Sequence, residues 1–240
     1  MTDGHSPAGS APAVLFDIDG TLVDSNYLHV HAWHRSFADE SLTVESWRVH
    51  RCIGMDGSTL LDTLVPDADD DARNRLKAGH SRYYLDAKGL LRLLPGAREL
   101  LEGITELGLQ VVLATSAPED ELEVLREVLD SEDVYSAMTS GGDVDTAKPQ
   151  PDIVNVALTR AGVDADHAVF VGDAVWDIEA CQRAGLTSIG VLSGGVSRGE
   201  LTEAGARAVF ENAEDLRAHL DESPVATLLS RVGSSGQGNA

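Results

Sequence analysis

Cysteine is nearly absent from this 240-residue chain: Cys52 and Cys181 stand alone and far apart. They form no CxxC pair and no metal-ligand spacing, which argues against a disulfide framework and a cysteine zinc site. Two small buried thiols in a reducing compartment are expected instead. Positive charge is also scarce. Basic residues number 18 against 40 acidic ones, and lysine occurs only at Lys77, Lys88 and Lys148. A formal net charge of -22 argues against nucleic acid or an anionic membrane as a main partner. No apolar run approaches the ~20 residues of a membrane span. Residues 1–12 are small and polar, without the basic start and apolar middle of a secretory signal. A cytoplasmic location is the expectation.

The acidity reads as solubility or life at high salt. It also sets a problem for any phosphorylated ligand, because long-range repulsion must be overcome locally by a metal ion, a lysine or backbone amides. Hydrophobic residues make up 42% of the chain, as in a globular protein of one or two domains. The small, polar ends, residues 1–12 and 221–240, are expected to be flexible.

Two textures lie between the ends. Residues 13–17 (AVLFD) read as a buried strand that ends in a turn at Gly20. Residues 24–94 then read almost wholly as helix, with Val30, Trp33, His34 and Phe37 at helical spacing, and Leu60, Leu61, Leu64, Leu76, Tyr83 and Tyr84 further on. Trp33, Phe37 and Trp47 read as core. From Pro95-Gly96 onward strands and helices alternate. Strands are expected over 110–115, 135–139, 167–172, 187–191 and 208–210, with helices over 119–129, 151–161 and 177–184. Ser116 and Glu119 stand at capping-box spacing for the first of these helices. Such alternation implies an α/β fold, a doubly wound parallel-sheet core of Rossmann-like type over residues 13–23 and 95–220. Residues 24–94 then form a small inserted all-α domain. A ligand site is expected at the carboxyl ends of the strands.

Polar residues gather where the apolar strands end. Asp17, Asp19, Gly20 and Thr21 follow the first strand, and Thr115 and Ser116 the second. Lys148-Pro149 precedes the helix at 151, and Gly172, Asp173 and Asp177 follow the fourth strand. FDIDGTLVDS at 16–25 resembles the first motif of the haloacid dehalogenase-like hydrolases. LATS at 113–116, AKPQPD at 147–152 and VGDAVWD at 171–177 resemble the second, third and fourth, in the same order. The helical insertion resembles the small cap that the phosphatase branch of that family, the phosphoglycolate phosphatase and beta-phosphoglucomutase type, carries between its first two motifs.

The resemblance implies phosphoryl transfer, which asks for a nucleophile, a proton shuttle and charge neutralisation. Asp17 would attack phosphorus and become an aspartyl-phosphate. Asp19 would protonate the leaving oxygen and later deprotonate water. Mg²⁺, which prefers oxygen ligands, would be held by the Asp17 carboxylate, the Asp19 backbone carbonyl and Asp173. Asp177 would contribute through a water or from behind. Thr115, the Ser116 amide, Gly20 and Lys148 would hold phosphate oxygens. The implied substrate is a small phosphorylated metabolite.

A phosphosugar mutase with the same four motifs is the alternative. Its cap loop carries an arginine, whereas the comparable stretch at 54–58 here reads GMDGS, with Arg48 and Arg51 nearby. A non-catalytic module that binds a phosphorylated ligand is the reading from another class. Phosphonate hydrolases use a cap lysine as a Schiff base, but neither Lys77 nor Lys88 has a supporting motif. His29, His31 and His34 lie on a helix, where His31 and His34 share a face and His29 does not. They suit cap packing or substrate contact better than a zinc site. Arg48, His50 and Met55 are nominated as cap residues that meet the substrate. The oligomeric state has no signature in the sequence.

Overall fold

The computed structural model describes residues 10–130, 133–143 and 148–235. Along the chain, β1 (Ala13–Phe16) is followed by a helical block of α1 (Asn26–Asp39), α2 (Ser46–Cys52), α3 (Gly57–Leu64) and α4 (Asp70–Asp86). The alternating part then runs α5 (Ala97–Glu106), β2 (Gln110–Leu113), α6 (Glu119–Leu129), β3 (Ala137–Met138), α7 (Asp152–Ala161) and β4 (Ala168–Gly172). It ends with α8 (Val175–Ala184), β5 (Thr187–Val191), α9 (Arg198–Ala204), β6 (Ala208–Phe210), α10 (Ala213–Ala218) and α11 (Val225–Ser235). The strands form one sheet in the order β3-β2-β1-β4-β5-β6, and every neighbouring pair is parallel.

All four residues of β1 are buried. Successive side chains of a strand point to opposite faces, so a strand apolar at every position needs cover on both. Val14 and Phe16 pack with Leu100, Leu101 and Ile104 of α5 and Leu122 and Leu125 of α6. Ala13 and Leu15 pack with Ile153, Val154 and Ala157 of α7 and Ala180 and Cys181 of α8. Two helical layers thus sandwich the sheet. Glycine ends several of the covering helices in the left-handed region, at Gly162 after α7 and Gly185 after α8. Cys52 and Cys181 are both buried and unpaired, in separate cores.

Helices α1–α4 have a core of their own, built by Val30, Trp33 and Phe37 with Val49, Leu60, Leu61 and Leu76. This cap joins the sheet domain through two strands of chain laid side by side. Val23 bridges Leu93, the Asp24 N–H donates to Arg92 O, and the Leu94 N–H donates to Leu22 O. Tyr84 and Leu91 pack into the sheet-side core, which ties the cap to the layer above α5 and α6.

Three local expectations need correction. Residues 221–240 are not uniformly frayed: α11 occupies Val225–Ser235, and Val225 and Leu228 are buried against the sheet-side core. Its apolar spacing is short and flanked by Ser and Gly, which hides it in a composition reading. Ser116 caps no helix, because α6 begins only after Pro118 and no side chain caps it. Trp47 is exposed rather than core, since it points off the outer side of α2 while Val49 and Cys52 turn inward. Residues 1–9, the beginning of the expected flexible start, lie outside the described residues, as does Ala147 of the third motif. Among the described residues no helix is long and apolar enough to cross a membrane.

The tail helix makes a measurable claim on stability. Leu228→Ala should cost about 2–5 kcal/mol of unfolding free energy in urea titration, the range for deleting a buried leucine side chain. A frayed tail would give a change near zero.

Candidate active site

The edge of the sheet where β1, β2 and β4 end carries the polar residues. Asp17 follows β1 at once, and its N–H donates to Val171 O of β4 at 2.9 Å. The strand order reverses between β1 and β4, where open α/β sheets form their binding crevice. Beyond Asp17 the chain folds back tightly, with Ile18 O accepting from the N–H groups of Leu22 and Val23. Gly20 sits in this turn at φ +73°, and a Cβ there would lie 2.5 Å from Asp173 Oδ2 and 2.4 Å from Asn26 Nδ2. Gly20 is thus the place where backbone and the Asp173 carboxylate meet. Gly20 is not among the residues that line the cavity.

A cavity of about 660 Å³ lies between the strand ends and the cap. Asp17, Asp19, Thr115, Ser116, Lys148 and Asp173 line it from the core, and Trp33, Met55, Leu60 and Lys77 from the cap. Asp177 is wholly buried beneath. Lys148 Nζ lies 2.7 Å from Asp17 Oδ1 and 2.7 Å from Asp177 Oδ1. The other Asp177 oxygen accepts from the Ala174 N–H at 3.1 Å. Asp177 therefore holds the lysine from behind, while its carboxylate remains within reach of Asp17 and Asp173. Asp173 accepts from Thr21 Oγ1 at 3.0 Å and from Asn26 Nδ2 at 2.8 Å. Thr115 Oγ1 accepts from the Ala117 N–H at 3.0 Å, which fixes its rotamer at the cavity wall.

Three carboxylates and one lysine are thus packed where water is scarce. Burial pushes the Asp17 carboxyl up to about 7, against the pull of Lys148, with Asp177 and Asp19 adding repulsion. Burial raises Asp173 well above the carboxylate range too, helped by Asp177 and Asp17. Burial opposes the charge of Lys148, yet Asp17 and Asp177 raise its pKa and keep it charged. The cluster carries more negative charge than Lys148 balances, and its donors are hard oxygens. Asp17, Asp173 and Asp177 bring ligand atoms within 4.8 Å of one another. That donor set suits a small divalent cation.

Asp19 sits beside this cluster with different neighbours. Ser25 Oγ donates to Asp19 Oδ1 at 2.5 Å, and His29 Nε2 lies 3.2 Å from the same oxygen. Burial would raise its pKa, but the His29 charge and these hydrogen bonds win and lower it. His29 Nδ1 in turn lies 3.1 Å from His80 Nε2, and His80 Nδ1 lies 3.5 Å from Glu121 Oε1. Burial lifts the Glu121 carboxyl to about 7.

Asn26, His80 and Glu121 line the cavity without having been singled out in the sequence, and His29, read there as cap packing or substrate contact, lines it too. A signal existed for Asn26. The buried stripe Val30, Trp33, Phe37 extends backward through His29 and Asn26, polar residues on an apolar face. His80 and Glu121 had none, because they reach the site only through packing of α4 and α6. His31 and His34, which share a face, are exposed. Of the nominated cap residues only Met55 lines the cavity. His50 stacks on Tyr27 and lies 2.9 Å from Gly194 O, and Arg48 pairs with Glu45.

Comparison with known proteins identifies the family. Residues 14–191 match the model of the haloacid dehalogenase-like hydrolases. A phosphoglycolate phosphatase of Rhodospirillum rubrum is 32% identical over 215 residues, 85% of this chain and 88% of that protein. A phosphorylated carbohydrates phosphatase of Thermotoga maritima is 32% identical over 208 residues, 85% of this chain and 96% of that protein. Among solved structures, a hydrolase from Pseudomonas syringae superposes with a TM-score of 0.84 at 37% identity, covering 88% of this chain and 98% of that one. The chain belongs to the haloacid dehalogenase-like hydrolases, and it is an enzyme of their phosphoric monoester phosphatase group.

The charge balance around Lys148 can be tested directly. Lys148→Met leaves Asp17 and Asp177 buried without their cation and should cost about 3–5 kcal/mol, the usual result of stranding a buried charge. Adding Asp177→Asn should return part of that stability in urea titration without restoring turnover.

Proposed function

We propose that the protein is a Mg²⁺-dependent phosphomonoesterase that hydrolyses a small phosphorylated metabolite through an aspartyl-phosphate on Asp17. The observation that carries this is the Asp17–Lys148–Asp173 cluster on the cavity wall, with Asp19 beside it. Asp17, Asp173 and the Asp19 backbone carbonyl would hold the metal, whose charge offsets that of the phosphoryl oxygens when it is bound.

An Asp17 carboxylate oxygen attacks phosphorus, and the bond from phosphorus to the substrate oxygen breaks. Asp19 gives the leaving oxygen a proton. His29 and Ser25 hold Asp19 ionised in the free site, so that proton is taken up together with the substrate, whose phosphoryl group brings negative charge beside it. In the second half, Asp19 takes a proton from water, the water oxygen bonds to phosphorus, and the bond to Asp17 breaks to release phosphate. Lys148, the Thr115 hydroxyl and the Ser116 amide hold the phosphoryl oxygens. Asp177 keeps Lys148 charged and aimed. The cap covers the cavity and limits access of bulk water. This enclosure favours small substrates over phosphoproteins, and the names of the two curated relatives support a small-molecule substrate.

Hydrolysis is favoured over the mutase reaction by the cap loop. Residues 54–58 border the cavity without an arginine, and Arg51 pairs with Glu200 rather than entering it. The proposed setting is the cytoplasm, where Cys52 and Cys181 stay reduced.

Phosphate release from a panel of phosphometabolites should require Mg²⁺ and vanish with chelator. In Asp17→Asn it should fall below about a thousandth of wild type, the scale of losing a nucleophile. Substantial residual turnover would remove Asp17 from that role. The metal claim has a readout without turnover. Because the folded pKa of Asp17 is raised to about 7, the native state binds more protons than the unfolded chain between the ordinary carboxylate range and pH 7. The chelated protein should therefore lose stability as pH rises through that window. Mg²⁺, which binds ionised carboxylates, should raise Tm more at pH 8 than at pH 5. An equal shift at both values would count against these ligands.

A further inference from the structure

A row of polar side chains, hydrogen-bonded from Asp19 through His29 to His80 and continued by a 3.5 Å contact from His80 Nδ1 to Glu121 Oε1, crosses from core to cap and back. Asp19 belongs to the loop after β1, His29 to α1, His80 to α4 and Glu121 to α6. His29, His80 and Glu121 are buried, and Asp19 is half-buried at the cavity. Two aromatic faces clamp the imidazoles: Trp33 stacks on His80 at 4.3 Å and Tyr84 on His29 at 4.0 Å between centroids. The rings cannot swing out of the row without losing this packing.

The donors in such a row are set from its far end. A carboxylate beside His80 Nδ1 favours a proton on that nitrogen, so Nε2 is left as the acceptor. His29 Nδ1 must then donate to it, while His29 Nε2 donates to Asp19. Ser25 and His29 both converge on Asp19 Oδ1, which fixes the rotation of the carboxylate. Glu121 thus governs, two residues removed, what Asp19 sees. We propose that His80 and Glu121 are positioning residues that orient Asp19 for proton transfer through His29, and that the row is complete only when the cap is seated on the core. It rests on the acid/base role proposed for Asp19. The cap supplies both imidazoles and the core both carboxylates, so lifting the cap breaks the row at each end. Ser81 Oγ, which donates to Asp120 Oδ2 at 2.7 Å, pins α4 to α6 at the same seam.

The test separates positioning from packing by the leaving group. Phenyl phosphate leaves poorly and needs a proton from Asp19, whereas p-nitrophenyl phosphate leaves well and needs it less. His80→Phe keeps a ring in the Trp33 stack and removes both nitrogens, and Glu121→Gln keeps the shape and removes the charge. Each should lower kcat/KM for phenyl phosphate by roughly tenfold to a hundredfold, the scale of a misplaced catalytic group. The loss for p-nitrophenyl phosphate should be several-fold smaller, and Glu121→Asp should recover most of the activity. Equal losses on both substrates, or no loss on either, would overturn the proposal. Asp19→Asn is run alongside: if it leaves phenyl phosphate turnover intact, the acid/base role itself fails. If it abolishes turnover while the His80 and Glu121 variants behave as wild type, only the positioning role fails.

Discussion

Burying three carboxylates around one ammonium group constrains nearly everything else in this molecule. Asp17, Asp173 and Asp177 approach one another within a few ångströms at the sheet edge, and Lys148 balances them only in part. Such a cluster is tolerable in a low-dielectric interior only if each oxygen has a partner. The surroundings supply most of them: Thr21 and Asn26 on Asp173, the Ala174 amide on one Asp177 oxygen, and the Lys148 charge between Asp17 and Asp177, whose Oδ1 has that ion pair but no hydrogen bond. Gly20 is part of the same constraint, since any larger residue would collide with Asp173. The excess negative charge is the physical reason a divalent cation is proposed there.

The sheet makes this crowding possible. A doubly wound parallel sheet delivers loop after loop to one edge, and β1, with neighbours β2 and β4 on either side, places Asp17 at its middle. The two helical layers cover both faces of β1, so the edge is the one direction left open to a ligand. An acidic protein that acts on a phosphate ester then needs positive charge only at this spot. In the proposed reaction the fully buried Lys148, with Lys77 on the cap wall of the same cavity, would serve where a basic surface would otherwise be required.

The cap does more than close the cavity. Its first helix carries Asn26 to Asp173 and His29 to Asp19, so both halves of the site depend on where α1 lies. The side-by-side pairing of Val23 and Leu93 lies within a few residues of those contacts. The position of the cap and that of the aspartates are therefore tied by short stretches of chain and direct hydrogen bonds. The proposed row through His80 and Glu121 adds a second coupling on the far side of the cavity.

The alternating half of the chain, the helical insertion and the residues at the strand ends were legible in the amino-acid sequence. A buried parallel strand is an unbroken apolar run, and the polar residues that follow it stand out by contrast. Asp17, Asp19, Thr115, Lys148 and Asp173 were found in this way, and the same local signals placed the glycines that end α7 and α8. Tertiary structure alone decided what these groups touch. Whether Asp177 meets a metal or a lysine depends on how α8 packs against the segment at Lys148, which no local pattern encodes. The motif marked Gly20 for phosphate, and only the tertiary structure shows it as the point of close approach to Asp173 and Asn26. His80 and Glu121 lie far from Asp19 along the chain and join it only because α4 and α6 meet across the seam between cap and core. Local sequence reports the period of an element and the chemistry at its ends. The direction in which a side chain finally points is set by partners distant in the chain.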